Sequence, residues 1–170
     1  MHGAQADLER WIAAFRGPLI GLLASWGLEW GAAEELAQDV FAEAWLGRAR
    51  FTGRADDHAN VGAWLSGIAR NLYRTRRREA TRSGLQALPA DLAAAAPEED
   101  ERRAELVAAF AELSEAHQTV LRMHYLEETS AREVAALLLI SPKAVEDRLY
   151  QARKALRERL ERRTTAGGRR

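Results

Sequence analysis

The sequence contains no cysteine, and this absence excludes several classes of protein. The 170-residue chain cannot form a disulfide framework, use a cysteine nucleophile or bind zinc through thiolates. It also lacks an apolar run approaching the ~18 residues that a membrane span needs. Residues 1–10 contain acidic side chains but no apolar core of the kind found in secretion signals. We therefore expect a soluble, intracellular protein.

Patterns of strands and of common catalytic sites are also missing. The sequence shows no sustained alternation of apolar and polar residues, and no Asn-Gly or Asp-Gly hairpin turn. It contains no G-x-S-x-G, P-loop or dinucleotide-binding glycine pattern. His117 and His124 could share a helix face with Glu127 or Glu128, but they lack the spacing of a helical HExxH metal site. We predict no enzyme activity, no cofactor and no metal site.

What the sequence does contain is charge arranged in blocks, which the equal totals of 25 basic and 25 acidic side chains conceal. Residues 61–84 carry six basic side chains and one acidic, and residues 119–170 carry twelve and seven. Residues 1–60 and 85–118 are net acidic. Two separated basic segments are consistent with two contacts to a polyanion, and equally with solvated helix faces.

Helical spacing of apolar residues runs through the first half of the chain. One stripe extends from Leu8 to Trp26 and is interrupted by Gly17-Pro18, where we expect one helix to end and Pro18 to enter the first turn of the next. Further stripes cover residues 36–45 and 64–72, and the latter leads into an arginine-rich stretch. Three or four helices with one shared core are therefore predicted for residues 1–84.

Composition then changes, and a second set of helices follows. Residues 85–102 contain two prolines, an alanine run and an acidic cluster, which predict a flexible acidic linker. In residues 103–163, Ser114 and Ser141-Pro142 are suited to helix starts, and Ser130 with Glu133 forms a capping box. A short helix, a tight turn and a long helix are typical of a helix-turn-helix. The predicted fold class is all-α, with two small helical domains and a basic tail at residues 164–170.

Three stretches, in this order, resemble one protein family. They read AEELAQDVFAEAW (33–45), GAWLSGIARNLYRTRRRE (62–79) and, from residue 113 to 160, a segment that begins LSEAHQTVLRMHY and ends RKALRERL. They are similar to the polymerase-docking helix, the minus-ten segment and the minus-thirty-five domain of bacterial RNA polymerase sigma factors of the extracytoplasmic-function (ECF) class. The resemblance implies a protein of the bacterial cytoplasm that binds core RNA polymerase and directs initiation at specific promoters.

The resemblance also implies roles for individual residues, and their chemistry is compatible with those roles. An acidic helix face suits a basic polymerase surface, guanidinium groups suit phosphates, and amides and carboxylates can pair with base edges. The expected polymerase contacts are Glu35, Gln38 and Asp39. The expected minus-ten contacts are Arg70, Asn71, Arg74, Arg76, Arg77 and Arg78, and the expected minus-thirty-five contacts are Lys143, Glu146, Asp147, Arg148, Gln151 and Lys154. Arg148, Arg153 and Lys154 are expected to hold the DNA backbone. We expect Trp64 to pack in the core rather than to stack on a base.

The chain departs from the family pattern at three places. The loop at residues 51–60, which in the family receives an extruded base, carries Asp56 and Asp57, and carboxylates there favour cytosine or adenine. Glu146 lies near the start of the second helix of the helix-turn-helix, which we call the reading helix. There it predicts a cytosine-bearing minus-thirty-five element. Alternatively, Glu146 only interacts with Lys143 or Tyr150 on its own helix. Leu139 stands where the family commonly has glycine, so we expect the turn to differ in detail.

The family resemblance further implies a restraint on activity, an anti-sigma factor or another inhibitory partner. Because two lobes of this size are individually marginal in stability, we expect the free protein to be flexible between lobes and to be held compact by that partner. The competing interpretation is a stand-alone helix-turn-helix regulator that binds DNA by itself. Such a regulator has no use for an acidic docking helix followed by an arginine-rich one. A third class, a helical adaptor without DNA, does not account for the charge blocks.

Overall fold

The computed structural model describes residues 2–83, 97–125 and 129–167. Within these residues the chain is helical and contains no strand, so the predicted all-α class is confirmed. A short 3-10 turn, Arg48–Arg50, follows the second helix. The α-helices are α1 (His2–Ser25), α2 (Trp30–Gly47), α3 (His58–Ser83), α4 (Pro97–Ala111), α5 (Glu115–Tyr125), α6 (Ala131–Leu138) and α7 (Pro142–Gly167).

Helix α1 passes through Gly17-Pro18 without ending, so the predicted break at these residues is wrong. A proline inside a helix costs about 3 kcal/mol, because it removes one backbone hydrogen bond and crowds the preceding turn. Phe15 before the proline and Leu19 and Leu23 after it are all buried in the same core. Burial of each such side chain contributes roughly 1.5–3 kcal/mol, which outweighs the cost of continuing the helix.

Helices α1, α2 and α3 form the first lobe, residues 2–83. Its core contains the fully buried side chains of Leu36, Val40 and Leu65. Beside this core lies an aromatic cluster of Trp11, Phe51 and Trp64, whose ring centroids are 4.8–5.8 Å apart. Trp64 therefore packs against neighbouring rings, in agreement with the role expected for it.

Helices α4 to α7 form the second lobe, and serine caps set the starts of three of them. Ser114 Oγ accepts from the backbone N–H of His117 at 3.4 Å, and Ser141 Oγ accepts from that of Ala144 at 3.1 Å. Ser130 caps α6 by accepting from the N–H of Arg132, while its hydroxyl also bonds to the Glu133 carboxylate. Helices α6 and α7 form the predicted helix-turn-helix around buried apolar residues.

Two predicted boundaries differ from the structure. Helix α4 begins at Pro97, so the charged end of the predicted linker is helical. The linker prediction for residues 85–96 lies outside the described residues. Helix α7 continues to Gly167 and includes the start of the predicted basic tail, and residues 168–170 lie outside the described residues. Among the helices that the structure describes, none is both long and apolar enough to cross a membrane.

The two lobes pack directly against each other. Helix α1 lies along α5, and α3 lies along α6. A single apolar core continues from Leu23 and Val61 in the first lobe to Met123 and Leu137 in the second. The described residues of the two lobes thus pack on each other through their own apolar surfaces, and the expected inhibitory partner stays a prediction.

Candidate functional site

Helix α2 presents the three residues expected to contact polymerase. Glu35, Gln38 and Asp39 are exposed on its outer surface, whereas Leu36 and Val40 on the opposite side are fully buried. The Glu29 carboxylate caps the helix by accepting from the backbone N–H of Ala32 at 3.3 Å. The spacing of apolar residues thus places the acidic face toward solvent.

An apolar groove of about 360 Å³ lies beside this face, between α1 and α2. Its walls include Leu8 and Ile12 of α1 and Phe41 and Trp45 of α2, and Gln38 lies at its edge. The sequence interpretation assigned these apolar residues to core stripes and missed the groove. No local signal separates these groove residues from core residues, because both lie in the same apolar stripes.

One of the predicted DNA-binding arginines contacts the acidic face instead of standing free. Arg76 of α3 places its Nη2 atom 2.7 Å from Asp39 Oδ2 and its Nη1 atom 4.0 Å from Glu35 Oε2. Arg76 is also less exposed than the arginines around it. The structure therefore brings the predicted polymerase contacts and one predicted minus-ten contact into a single ionic cluster.

The other predicted minus-ten residues form an open basic surface along α3. Arg70, Arg74, Arg77 and Arg78 are exposed, as is Asn71. In the part of the chain that the structure describes, no carboxylate lies within ion-pair distance of these four arginines. Arginines spaced four and three residues apart lie on one face of a helix, where they can follow a phosphate backbone.

A groove of about 620 Å³ joins this basic surface to the second lobe. Arg70, Arg74 and Arg77 line one side, and Arg148 of α7 lies on the other. The Tyr73 hydroxyl donates to the Trp26 carbonyl at 2.6 Å and fixes the floor of the groove. The structure thus places residues assigned to the minus-ten and minus-thirty-five elements around one cavity.

A side-chain hydrogen bond from α1 holds the loop between α2 and α3, and both carboxylates of this loop have partners close to them in the sequence. Trp11 Nε1 donates to the Ala55 carbonyl at 3.0 Å. The hydrogen bonds that Arg54 donates to Asp56, with the charge of that guanidinium, lower the pKa of the Asp56 carboxyl. Asp57 caps α3 by accepting from the backbone of Ala59 at 2.9 Å and from the side chain of Asn60 at 2.7 Å.

These partners weigh against the expectation that Asp56 and Asp57 meet an extruded base. A base would have to displace a two-point contact with Arg54 at Asp56, or a helix cap at Asp57. The position of Asp57 directly before the helix was a sequence signal for capping that the sequence interpretation did not use.

The residues of α7 that were predicted to contact the minus-thirty-five element are all exposed, and two of them form an ion pair with each other. Lys143 Nζ lies 2.7 Å from Asp147 Oδ1, and this hydrogen bond, with the charge of that carboxylate, raises the pKa of Lys143. Within the described ranges, Glu146 forms no ion pair. Asp147 is the ion-pair partner of Lys143, and the nearby charge of Glu146 adds to the rise in the pKa of Lys143. Arg148, Gln151 and Lys154 project from the same helix.

Arg153, which was expected to hold the DNA backbone, is turned toward α5. Its Nε donates to the Tyr125 hydroxyl at 2.9 Å, and its guanidinium lies 5.7 Å from that ring. His124 lies beside them, with a buried Nδ1 atom that has no hydrogen-bond partner in the described structure. Burial, with the charge of Arg153, lowers the pKa of the His124 imidazole.

In the turn before α7, Leu139 has a left-handed backbone conformation, which is unusual for leucine. Leu139 has φ 59° and ψ 40°, and the residue is 55% exposed. The N–H of Ile140 donates to the Ala135 carbonyl at 3.1 Å, as in a Schellman motif. Leu139 thus adopts the left-handed conformation that favours glycine, and a leucine is strained there.

Comparisons with known proteins match both lobes. Residues 11–83 match a family model described as Sigma-70 region 2, and residues 103–156 match one described as Sigma-70, region 4. The chain is 29% identical over 169 residues to a probable RNA polymerase sigma factor, RfaY, of Xanthomonas campestris pv. campestris. That similarity covers 93% of this chain but 41% of the relative, so the chain spans less than half of the relative's length.

Proposed function

The chain belongs to the sigma-70 family of RNA polymerase sigma factors, and we propose that it acts as an ECF-type member that directs promoter-specific initiation. The observation that supports this most directly is the order of surfaces on adjacent helices. An acidic face with an apolar groove on α2 is followed by a basic surface on α3 and a reading helix in α7. A protein that must hold a polymerase and a promoter together needs all three.

In this proposal, α2 and its groove bind core RNA polymerase. The groove supplies apolar area, and burying such area contributes about 25 cal/mol per Å². Glu35 and Asp39 supply charge that steers a basic partner and sets its orientation. Gln38, at the groove edge, can hydrogen-bond to the partner where the apolar contact ends.

The two basic surfaces bind the promoter in this proposal. The α3 arginines other than Arg76 neutralise phosphates at the minus-ten element, and Asn71 can pair with an exposed base edge. The first turns of α7 enter the major groove at the minus-thirty-five element, where Glu146 can accept from the amino group of cytosine. Bond-forming chemistry belongs to the polymerase, so this chain contributes recognition and opening of the duplex.

The cellular location and an inhibitory partner are part of this proposal. Transcription initiation places the protein in the bacterial cytoplasm, and membership of the family makes an anti-sigma factor or another inhibitory partner a reasonable expectation. A stand-alone helix-turn-helix regulator is the alternative. The groove and acidic face of the first lobe favour the sigma factor, because a regulator that binds DNA by itself needs neither.

The test mixes the purified chain with core RNA polymerase and measures complex formation and promoter-dependent transcription. Asp39→Lys is expected to abolish the complex, whereas Glu158→Lys, the same charge reversal at an exposed position of α7, leaves it intact. Equal loss in both variants would contradict the assigned docking face. Tight sequence-specific DNA binding without polymerase, and no complex with it, would establish the alternative.

A further inference from the structure

The groove of about 620 Å³ between α3 and the second lobe, which we name the interlobe groove, is lined by positive charge from both lobes. Arg70, Arg74 and Arg77 of α3 and Arg148 of α7 line it. All four residues are exposed, and in the described part of the chain none lies within ion-pair distance of a carboxylate. Glu115 of α5 also lines the groove, so four cations share it with one carboxylate among the described lining residues. This excess of positive charge attracts anions.

Two aromatic rings lie next to these charges. Trp26 and Tyr73 both line the interlobe groove, and their ring centroids are 5.2 Å apart with the ring planes inclined by 52°. Each of the two residues is half-buried, and the guanidinium of Arg77 lies 6.0 Å from the Tyr73 ring. A flat ring can stack on such a surface, and any nucleic-acid base can do so because every base has a π-face.

The start of α5 adds to the binding capacity of the groove. Glu115 and Ala116, in the first turn of this helix, line the groove together with Thr119 one turn later. The first backbone N–H groups of a helix have no partner within the helix, and the helix dipole makes that end attractive to anions. The helix start thus supplements the arginines on the opposite side, and the Glu115 carboxylate can accept hydrogen bonds from hydroxyl or amino groups of a ligand.

We propose that the interlobe groove binds a nucleoside triphosphate, with its base on Trp26 and Tyr73 and its phosphates among the arginines of both lobes. The volume of the groove lies within the roughly 300–1,000 Å³ typical of small-molecule sites. A ligand that matches the lining needs a flat ring and several negative charges, and a nucleoside triphosphate has both. One consequence rests on the proposed function: Arg74 and Arg77 are also proposed promoter contacts, so bound nucleotide and promoter DNA compete for them.

A second basic groove on α3 serves as an internal comparison. It has a volume of about 410 Å³ and is lined by Arg74, Arg77, Arg78, Thr81 and Arg82. Its described lining contains no aromatic ring and comes from α3 alone. This second groove therefore suits an extended phosphate backbone, whereas the interlobe groove combines cations with a stacking surface. Arg82 lines the second groove but not the interlobe groove, so its replacement distinguishes the two.

The experiment titrates the full-length chain with ATP by isothermal titration calorimetry, and separately with tripolyphosphate and with adenosine, which are the two halves of the ligand. We expect one ATP per chain, and each half to bind at least about tenfold more weakly. Arg148→Ala should weaken ATP binding about tenfold through a lost charged hydrogen bond. Arg157→Ala is the matched control, because this arginine of α7 is exposed and lies outside the described lining of the groove.

A second variant tests the stacking surface. Trp26→Leu should weaken ATP binding about tenfold and leave tripolyphosphate binding unchanged, because it removes a ring and no charge. If Trp26→Leu does not fold, quenching of tryptophan fluorescence by ATP replaces it. The quenching should then be smaller in Trp26→Phe, which keeps a ring at this position, than in the unchanged chain.

Three results would overturn the proposal: no ATP binding, equal affinity for ATP and tripolyphosphate, or a loss in Arg82→Ala as large as that in Arg148→Ala. The last two would mean that α3 holds polyanions in general. Binding of core RNA polymerase, measured on the same preparations, separates this inference from the proposed function. If ATP binds in the expected pattern but polymerase does not bind, the nucleotide site stands and the sigma-factor assignment falls. If polymerase binds and ATP does not, the assignment stands and the nucleotide site falls.

Discussion

Arg74 and Arg76 lie two residues apart on α3, and the structure predicts opposite consequences for their replacement by alanine. Arg74 is exposed and lines the basic groove. Arg76 is held by Asp39 at 2.7 Å, on the side of α3 that faces the docking helix. We expect Arg74→Ala to weaken promoter binding through a lost phosphate contact, and Arg76→Ala to act mainly on polymerase binding.

The magnitude follows from counterion release. Each phosphate contact contributes about 0.9 to the slope of log affinity against log salt for duplex DNA, and about 0.7 for a single strand. Loss of one contact therefore makes the binding deficit of Arg74→Ala about threefold smaller at 200 mM salt than at 50 mM. Arg76→Ala should leave the slope unchanged. It should raise polymerase affinity by up to about fivefold, because an exposed ion pair that competes for Asp39 is worth at most about 1 kcal/mol.

The assay is fluorescence anisotropy of a labelled promoter fragment, titrated with polymerase carrying each variant at three salt concentrations. Polymerase affinity is measured separately without DNA. The reasoning is refuted if Arg76→Ala reduces the slope as much as Arg74→Ala does. That result would mean that Arg76 leaves Asp39 in the complex and contacts a phosphate.

Three further predictions concern the second lobe. Leu139→Gly should raise the free energy of unfolding by about 0.5–1 kcal/mol, because it relieves backbone strain of about 1–2 kcal/mol at an entropic cost of about 0.5–1 kcal/mol for glycine. Thermal melting should show a melting temperature about 1–3 °C higher. A lower melting temperature would contradict this account. Glu146→Gln should remove a cytosine preference in promoter selection, and an unchanged preference would leave the residue no reading role. Because the pKa of His124 is lowered in the folded chain, the unfolded chain binds protons more readily as pH falls below about 6.5. In melting curves recorded at a series of pH values, the stability of His124→Gln should therefore fall less steeply below about pH 6.5 than that of the unchanged chain.

Features governed by neighbouring residues were predictable from the sequence. Ser141 followed by Pro142 marks the start of α7, and Ser130 with Glu133 marks the start of α6, because capping depends on side chains within one turn of the helix end. The stripes of apolar residues predicted which faces of α2 are buried and which are exposed. The all-α class and the helix-turn-helix follow from these local signals.

Features governed by distant residues were not predictable in this way. The helix continues through Pro18 because other helices bury Leu19 and Leu23, and the sequence around Pro18 does not indicate that burial. Arg76 meets Asp39 across 37 positions, and in the sequence it is indistinguishable from its neighbouring arginines. The packing of Gly62 on Ala136 likewise depends on how two complete lobes meet.

The aromatic cluster beneath the first-lobe loop has an optical consequence. All five tryptophans of the chain precede residue 65, so its tryptophan fluorescence arises from the first lobe alone. Trp11 and Trp64 of the cluster contact the loop at residues 51–60, and Trp26 lines the groove between the lobes. An unlabelled chain thus carries its own reporters for the loop and for the groove between the lobes, and comparison with a Trp26→Phe variant would isolate the signal of Trp26 by difference.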